Sequence, residues 1–216
     1  MILPFRSKNP KVAERPTLSF EQDEMIGIAE CCSGPKNVRL RALSLLFRYS
    51  GLRIKDAVTL ARTRIKDGHL FLYTSKAGTP VYCLLPKFVV TAPAMIPVDG
   101  PYFFWTGNSK IKTVCSHWDL ELRKLFKQAK VENGHAHRFR DTFGVSLLIA
   151  GKLIEHVAML LGHRSIRIAE RHYSPCVSAR QEQLEADVRD SWKSHPVVLL
   201  QTKGTAEVRG KAHCVN

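Results

Sequence analysis

Apolar residues recur at helical spacing through most of the chain. Thr17-Leu18-Ser19-Phe20-Glu21 supplies an N-cap and an acidic first turn, and the pattern predicts a helix over 19–32, ended by Ser33-Gly34-Pro35. Val38, Leu40, Ala42, Leu43, Leu45, Leu46 and Phe47 predict a second, strongly apolar helix that stops near Tyr49-Ser50-Gly51, and Ile54 to Leu60 reads as a third. The period then changes. Asp67-Gly68 marks a turn, and two short strands, His69 to Thr74 and Val81 to Leu85, form a hairpin through Ser75-Lys76-Ala77-Gly78-Thr79. From Pro86 to Gly107 prolines are frequent and no period holds, so this stretch reads as a connection with short pieces. Helices are predicted again over Ser116–Ala129, over Arg138–Ala150 with Gly151 after it, and over Ile154–Leu161 with a stop at Gly162. A short segment ends at Tyr173-Ser174-Pro175, and a charged helix follows from about Ser178 to Trp192. The fold class is therefore mainly α with one small antiparallel β-sheet.

With 216 residues and 44% apolar content the chain buries one principal core, placed at 17–192 between a basic segment over 1–16 and a polar, basic tail over 193–216. Lys and Arg outnumber Asp and Glu by 33 to 19, a net charge of +14. Such an excess suits a polyanionic partner, nucleic acid or anionic membrane, because neutralised phosphates release counterions. Charge alone does not choose between them. Cysteines at 31, 32, 83, 115, 176 and 214 form no CxxC pair and read as reduced thiols of a cytoplasmic protein. MILPFRSKNPKVAERP lacks a signal-like apolar run, and FVVTAPAMIPV is short and broken by prolines, so no membrane partner is expected.

Three segments combine residues of chemical interest: SGLRIKDAVTL around Arg53, HRFRDTF from His137, and LLGHRSIRIAERHY ending at Tyr173. In this order they resemble the signature boxes of tyrosine recombinases of the phage-integrase kind: a Gly-Leu-Arg turn, a His-x-x-Arg helix, and a Leu-Gly-His turn before a tyrosine. The resemblance covers about residues 17 to 190. It implies the catalytic fold of that family and a site-specific recombinase that cuts and rejoins double-stranded DNA through a 3'-phosphotyrosyl intermediate, for integration of a mobile element. It further implies Arg53 and Arg140 as catalytic arginines with His137 and His163 beside them, Tyr173 as nucleophile, and the hairpin lysine as donor of a proton to the leaving oxygen, a place that Lys76 takes ahead of Lys55, Lys66 and Lys87 only by standing between the two strands. Asp56 stands where the family has an acidic buttress; as an ordinary acid in a helix's first turn it needs no such role. Asp141 stands where many relatives carry a second histidine. No cofactor or metal is implied, and the partners are DNA and further copies of the chain, a tetramer on paired sites.

The chemistry asks for these residue types independently of the family. A phosphodiester gains charge as a hydroxyl attacks it, so guanidinium forks on the nonbridging oxygens stabilise the transition state. A phenol with a reference pKa of about 10 needs positive charge or a base to become a nucleophile, and His137 lies one helical turn from Arg140 to serve as one. Cys115-x-His117 and His135-x-His137 fit no common zinc spacing, and HExxH and GxxxxGK[ST] are both missing. The family's helical core-binding domain, about 100 residues, is expected to be absent, since residues 1–16 alone precede the domain. A type IB topoisomerase-like activity and a catalytically idle DNA-binding remnant stay open as alternatives.

Overall fold

The computed structural model describes residues 18–193, and for 174–183 and 193 the backbone alone. The predicted basic segment over 1–16, Thr17, and the tail beyond 193 lie outside the described residues. Among the described residues eight α-helices and three strands follow in the order α1 (Gln22–Cys31), α2 (Val38–Ser50), α3 (Ile54–Val58), β1 (Ile65–Lys66), β2 (His69–Tyr73), β3 (Pro80–Leu84), α4 (Lys87–Ala94), α5 (Ile111–Gln128), α6 (Ala136–Ile149), α7 (Ile154–Leu160) and α8 (Ile166–Lys193). The mainly helical class with one small antiparallel sheet is as the sequence predicts.

The core gathers where α1, α2, α5 and α6 meet. Phe20, just ahead of α1, packs on Phe126 and Phe139 with ring centroids 5.5 and 4.8 Å away, and Phe139 stacks on Phe47 at 5.8 Å. All four rings are buried. The sheet lies beside this core in the order β1-β2-β3, antiparallel throughout, with Leu70 opposite Cys83 and Leu72 opposite Val81 on the inner face. Period-2 alternation sends the residues between them to solvent.

Four details depart from the sequence reading. A third strand, β1, extends the hairpin across the Asp67-Gly68 turn, too short at Ile65–Lys66 to show a period. Within the proline-rich connection α4 forms, burying Val89 on α2 despite Pro93 in its last turn. Helix α5 starts at Ile111 and not Ser116: Ile111, Thr113 and Val114 are β-branched and poor helix formers, but the burial of Val114 overrides propensity. Most consequentially, Ser174-Pro175 ends nothing. Helix α8 runs unbroken through it, although an interior proline costs about 3 kcal/mol, because Ala169 and Tyr173 are buried where α8 packs on α6 and α7. Tyr173 therefore sits inside a long helix and not at the end of a loop.

Candidate active-site cleft

Helix α2 ends at Gly51, whose φ of 62° is left-handed. A Cβ there would stand 2.6 Å from Phe143 Cδ1 and 2.7 Å from Leu161 Cδ2, so glycine is required both for the turn and for the closeness of α6 and α7. The redirected chain makes Arg53 the N-cap of α3. Arg140, in the second turn of α6 and 3% exposed, reaches under this turn: its Nη1 donates to the Gly51 carbonyl at 2.6 Å and its Nη2 to the Leu161 carbonyl at 2.5 Å. One guanidinium thus joins the C-terminal ends of α2 and α7, where carbonyls lack helical partners and the helix dipoles are negative.

The hairpin is fastened to the same turns at three points. Asp56 in α3, 5% exposed, accepts a hydrogen bond from Ser75 N at 2.8 Å. Gly162, at φ 60°, packs so tightly on the strands that a Cβ would stand 2.7 Å from Thr74 Cγ2 and 2.8 Å from Val81 Cγ2. Arg164 donates from Nε and Nη2 to the Ala77 carbonyl at 3.1 and 2.9 Å. Lys76 lies between the Ser75 and Ala77 tethers and is exposed. Across from it Tyr173, 2% exposed, rests on Gly144 in the middle of α6, where a Cβ would come within 2.6 Å of the phenol Cζ and Oη.

These elements enclose a cleft of about 360 Å³ lined by Arg53, Lys76, His137, Arg140, His163 and Tyr173, all six of the predicted catalytic residues, together with Asp141, Arg164 and His172 among others. Asp56 does not line it but is tied to the hairpin that does. Cys115, His117 and His135 do not line it, and among the described residues no three His, Cys, Asp or Glu side chains are grouped to hold a metal ion.

The cleft is electropositive by construction. Burial first, and then the neighbouring Arg53, pulls the Arg140 guanidinium down to about 10, which leaves it charged at neutral pH. The imidazole of His163 is lowered to about 3 by burial, then by Arg140, Arg53, His172 and His137. His137, at the mouth with 52% of its side chain exposed, is lowered to about 4 by burial, then by Arg140, His135, Arg53 and His172. Both rings are therefore neutral at pH 7. The one carboxylate lining the cleft, Asp141, is raised to about 6 by burial, with Arg140 and Arg138 opposing the rise. Its Oδ1 is 3.7 Å from His137 Nε2, beyond hydrogen-bonding distance. Arg53 Nη1 and His163 Nδ1 are buried without a hydrogen-bond partner, and among the described residues neither Arg53 nor Arg140 makes an ion pair. Buried donors left unsatisfied are costly unless an acceptor arrives to meet them.

Sequence reasoning did not single out Gly144, the seat of Tyr173, or Arg164, the hairpin tether. A glycine in the interior of a helix signals close approach of another side chain and marks the first of these. No comparable signal marks the second.

Known proteins resemble this chain in sequence and in fold. Residues 19–176 match the model of the phage integrase family. The chain is 25% identical over 182 residues to the tyrosine recombinase XerC of Rickettsia typhi (strain ATCC VR-144 / Wilmington), covering 78% of this chain and 59% of that relative's length. Its fold is similar to that of the XerH site-specific recombinase bound to palindromic difH substrate in a post-cleavage complex, with a TM-score of 0.63, 16% identity, and coverage of 82% of this chain and 55% of that one. It is also similar to the catalytic domain of bacteriophage HP1 integrase, with a TM-score of 0.56, 19% identity, and coverage of 84% and 99%. Among the described residues no helix is long and apolar enough to cross a membrane. Since the matched span takes in every one of the six residues that the fold gathers in the cleft, the chain belongs to the phage integrase family.

Proposed function

We propose that this chain cuts and rejoins double-stranded DNA at a defined site through a covalent 3'-phosphotyrosyl bond on Tyr173, as the catalytic part of a site-specific recombinase serving a mobile element. The observation that carries the reading is the convergence of Arg53, Lys76, His137, Arg140, His163 and Tyr173 on one cleft in which, among the described residues, neither Arg53 nor Arg140 makes an ion pair. A scissile phosphate supplies the missing anion. Arg53 offers its unsatisfied Nη1 to a nonbridging oxygen, and Arg140, with two N–H groups spent on carbonyls, keeps the rest of its fork for the phosphate. Neutral His163 donates a hydrogen bond to the same oxygens.

Tyr173 Oη attacks phosphorus as its proton passes to His137, whose imidazole is neutral at pH 7. A P–O bond to tyrosine forms, the bond to the 5' oxygen breaks, and Lys76 gives that oxygen a proton. Attack by a 5' hydroxyl on the phosphotyrosyl ester reverses each step. The ester preserves the bond energy, so resealing requires no nucleotide and the chemistry no metal. The XerH structure contains its DNA substrate, and we carry that partner class over, with four copies assembling on two paired sites.

The test is a nicked duplex carrying candidate sites, in which cleavage releases a short strand and traps the enzyme. Wild type is expected to give a protein-DNA adduct that survives denaturant, and Tyr173→Phe to bind the duplex without forming it. An adduct with Tyr173→Phe would refute the assignment.

A further inference from the structure

The solvent face of the sheet is not the polar face that an antiparallel sheet normally turns to water. Alternation leaves His69, Phe71 and Tyr73 of β2 and Tyr82 and Leu84 of β3 outward, with Tyr73 62% and Tyr82 60% exposed. Register places Phe71 opposite Tyr82. The His69 ring lies nearly parallel to Tyr82, centroids 5.1 Å apart and planes 20° apart, and Phe71 meets Tyr73 edge to face at 5.4 Å. Toward β1 the face deepens into a concavity of about 300 Å³ walled by Arg64, Lys66, His69, Phe71 and Tyr82, with Asp67 as its one acid. At its other end the row runs from Tyr73 through the hairpin turn to Lys76 at the edge of the cleft.

We propose that this face is a second nucleic-acid contact that binds unpaired DNA, with bases stacking on Phe71, Tyr73 and Tyr82 and phosphates held by Arg64 and Lys66. Exposed aromatic rings flanked by cations suit a strand whose bases are free to stack, and a duplex hides those base faces. The binding stands apart from the cleavage chemistry of Tyr173; the cleavage reading enters only in naming the strand freed beside Lys76 as the natural occupant.

The test compares binding of a fluorescent oligothymidine and of a duplex of equal length to the full chain. The variant Phe71→Ile/Tyr82→Ile keeps β-propensity while removing two rings, and Arg64→Ala/Lys66→Ala removes the cations. The ring variant is expected to bind oligothymidine about tenfold or more weakly while its duplex affinity changes less than about twofold. The cation variant is expected to show a shallower salt dependence for oligothymidine, by about 0.7 for each charge lost. Unchanged oligothymidine binding by the ring variant, or equal losses for both DNA forms, would overturn the proposal. So would a concentration-dependent dimer that the ring variant abolishes while oligothymidine binding persists, since a second copy of the chain would then be the occupant. A Tyr173→Phe chain is expected to bind oligothymidine as wild type does, so failure of the cleavage reading leaves this result in place.

Discussion

Two arginines of α6, Arg138 and Arg140, are equally buried and have opposite surroundings. Arg138 faces the seam with α1. Its Nη2 and Nη1 meet Glu24 Oε2 and Oε1 at 2.7 and 3.2 Å, it donates to the Ser19 and Glu132 carbonyls at 2.9 and 2.8 Å, and it lies 4.3 Å from the centre of the Phe20 ring. Arg140 faces the cleft, holds only carbonyls, and has a second cation, Arg53, as neighbour. In the seam, charge is cancelled and the arginine serves as a rivet. In the cleft, charge is held in place by neutral acceptors, and among the described residues no carboxylate closes on it as an ion pair, although Asp141 and Asp56 lie near enough to act on it, which leaves the guanidinium able to receive a phosphate.

The sharpest way to break this contrast is to truncate each arginine in turn. Arg140→Ala is expected to slow adduct formation on the nicked duplex by about 10³-fold, the scale of losing a preorganised donor, and Arg140→Lys to restore little because one ammonium cannot join the Gly51 and Leu161 carbonyls as a fork does. Arg138→Ala is expected to cost about 3–5 kcal/mol in urea unfolding, since Glu24 is left partly buried without its partner, with the single-turnover rate per folded molecule unchanged. Equal behaviour of the two would end the distinction. Next in size, Lys76→Ala is expected to slow cleavage about 10²-fold, and a substrate with sulfur in place of the 5' bridging oxygen, which leaves without a proton, to remove most of that loss.

A smaller effect tests the seat of the nucleophile. Gly144→Ala puts a methyl 2.6 Å from Tyr173 Cζ and Oη, so adduct formation is expected to fall about tenfold or more, by at least the ~1.4 kcal/mol that a modest ring displacement costs, with duplex binding kept within twofold. The smallest effect is in pH. His137 and His163 have folded values depressed to about 4 and about 3, so their contribution to stability is complete above about 6.5 and is lost as pH falls through those values. Asp141, raised to about 6, acts oppositely: its contribution is present below the ordinary carboxylate range and is lost as pH rises through about 6. Urea unfolding is therefore expected to show stability falling from about pH 6.5 toward about pH 4, and His163→Gln to lessen that fall.

What was legible in the sequence was local. The stops at Gly51 and Gly162, the hairpin around Lys76, and the shared helical face of His137 and Arg140 depend on residues close together in the chain, and each is where the sequence reading places it. What was hidden depends on distant partners. Nothing in HRFRDTF tells Arg138 from Arg140; the carboxylate that separates them is Glu24 in α1. Asp56 read equally well as a helix-end acid, and only its bond to Ser75 N connects it with Lys76. The boundary expected at Ser174-Pro175 was a local signal overruled by the burial of Ala169 and Tyr173 on α6 and α7.

The most direct measurement is the identity of the covalent bond. A trapped adduct, digested with protease and then nuclease, is read by mass spectrometry for the modified peptide and for the end of DNA that it carries. The expected product is a nucleotide joined through its 3' phosphate to the peptide containing Tyr173. A 5' linkage, or a nucleotide on any other residue, would contradict the account.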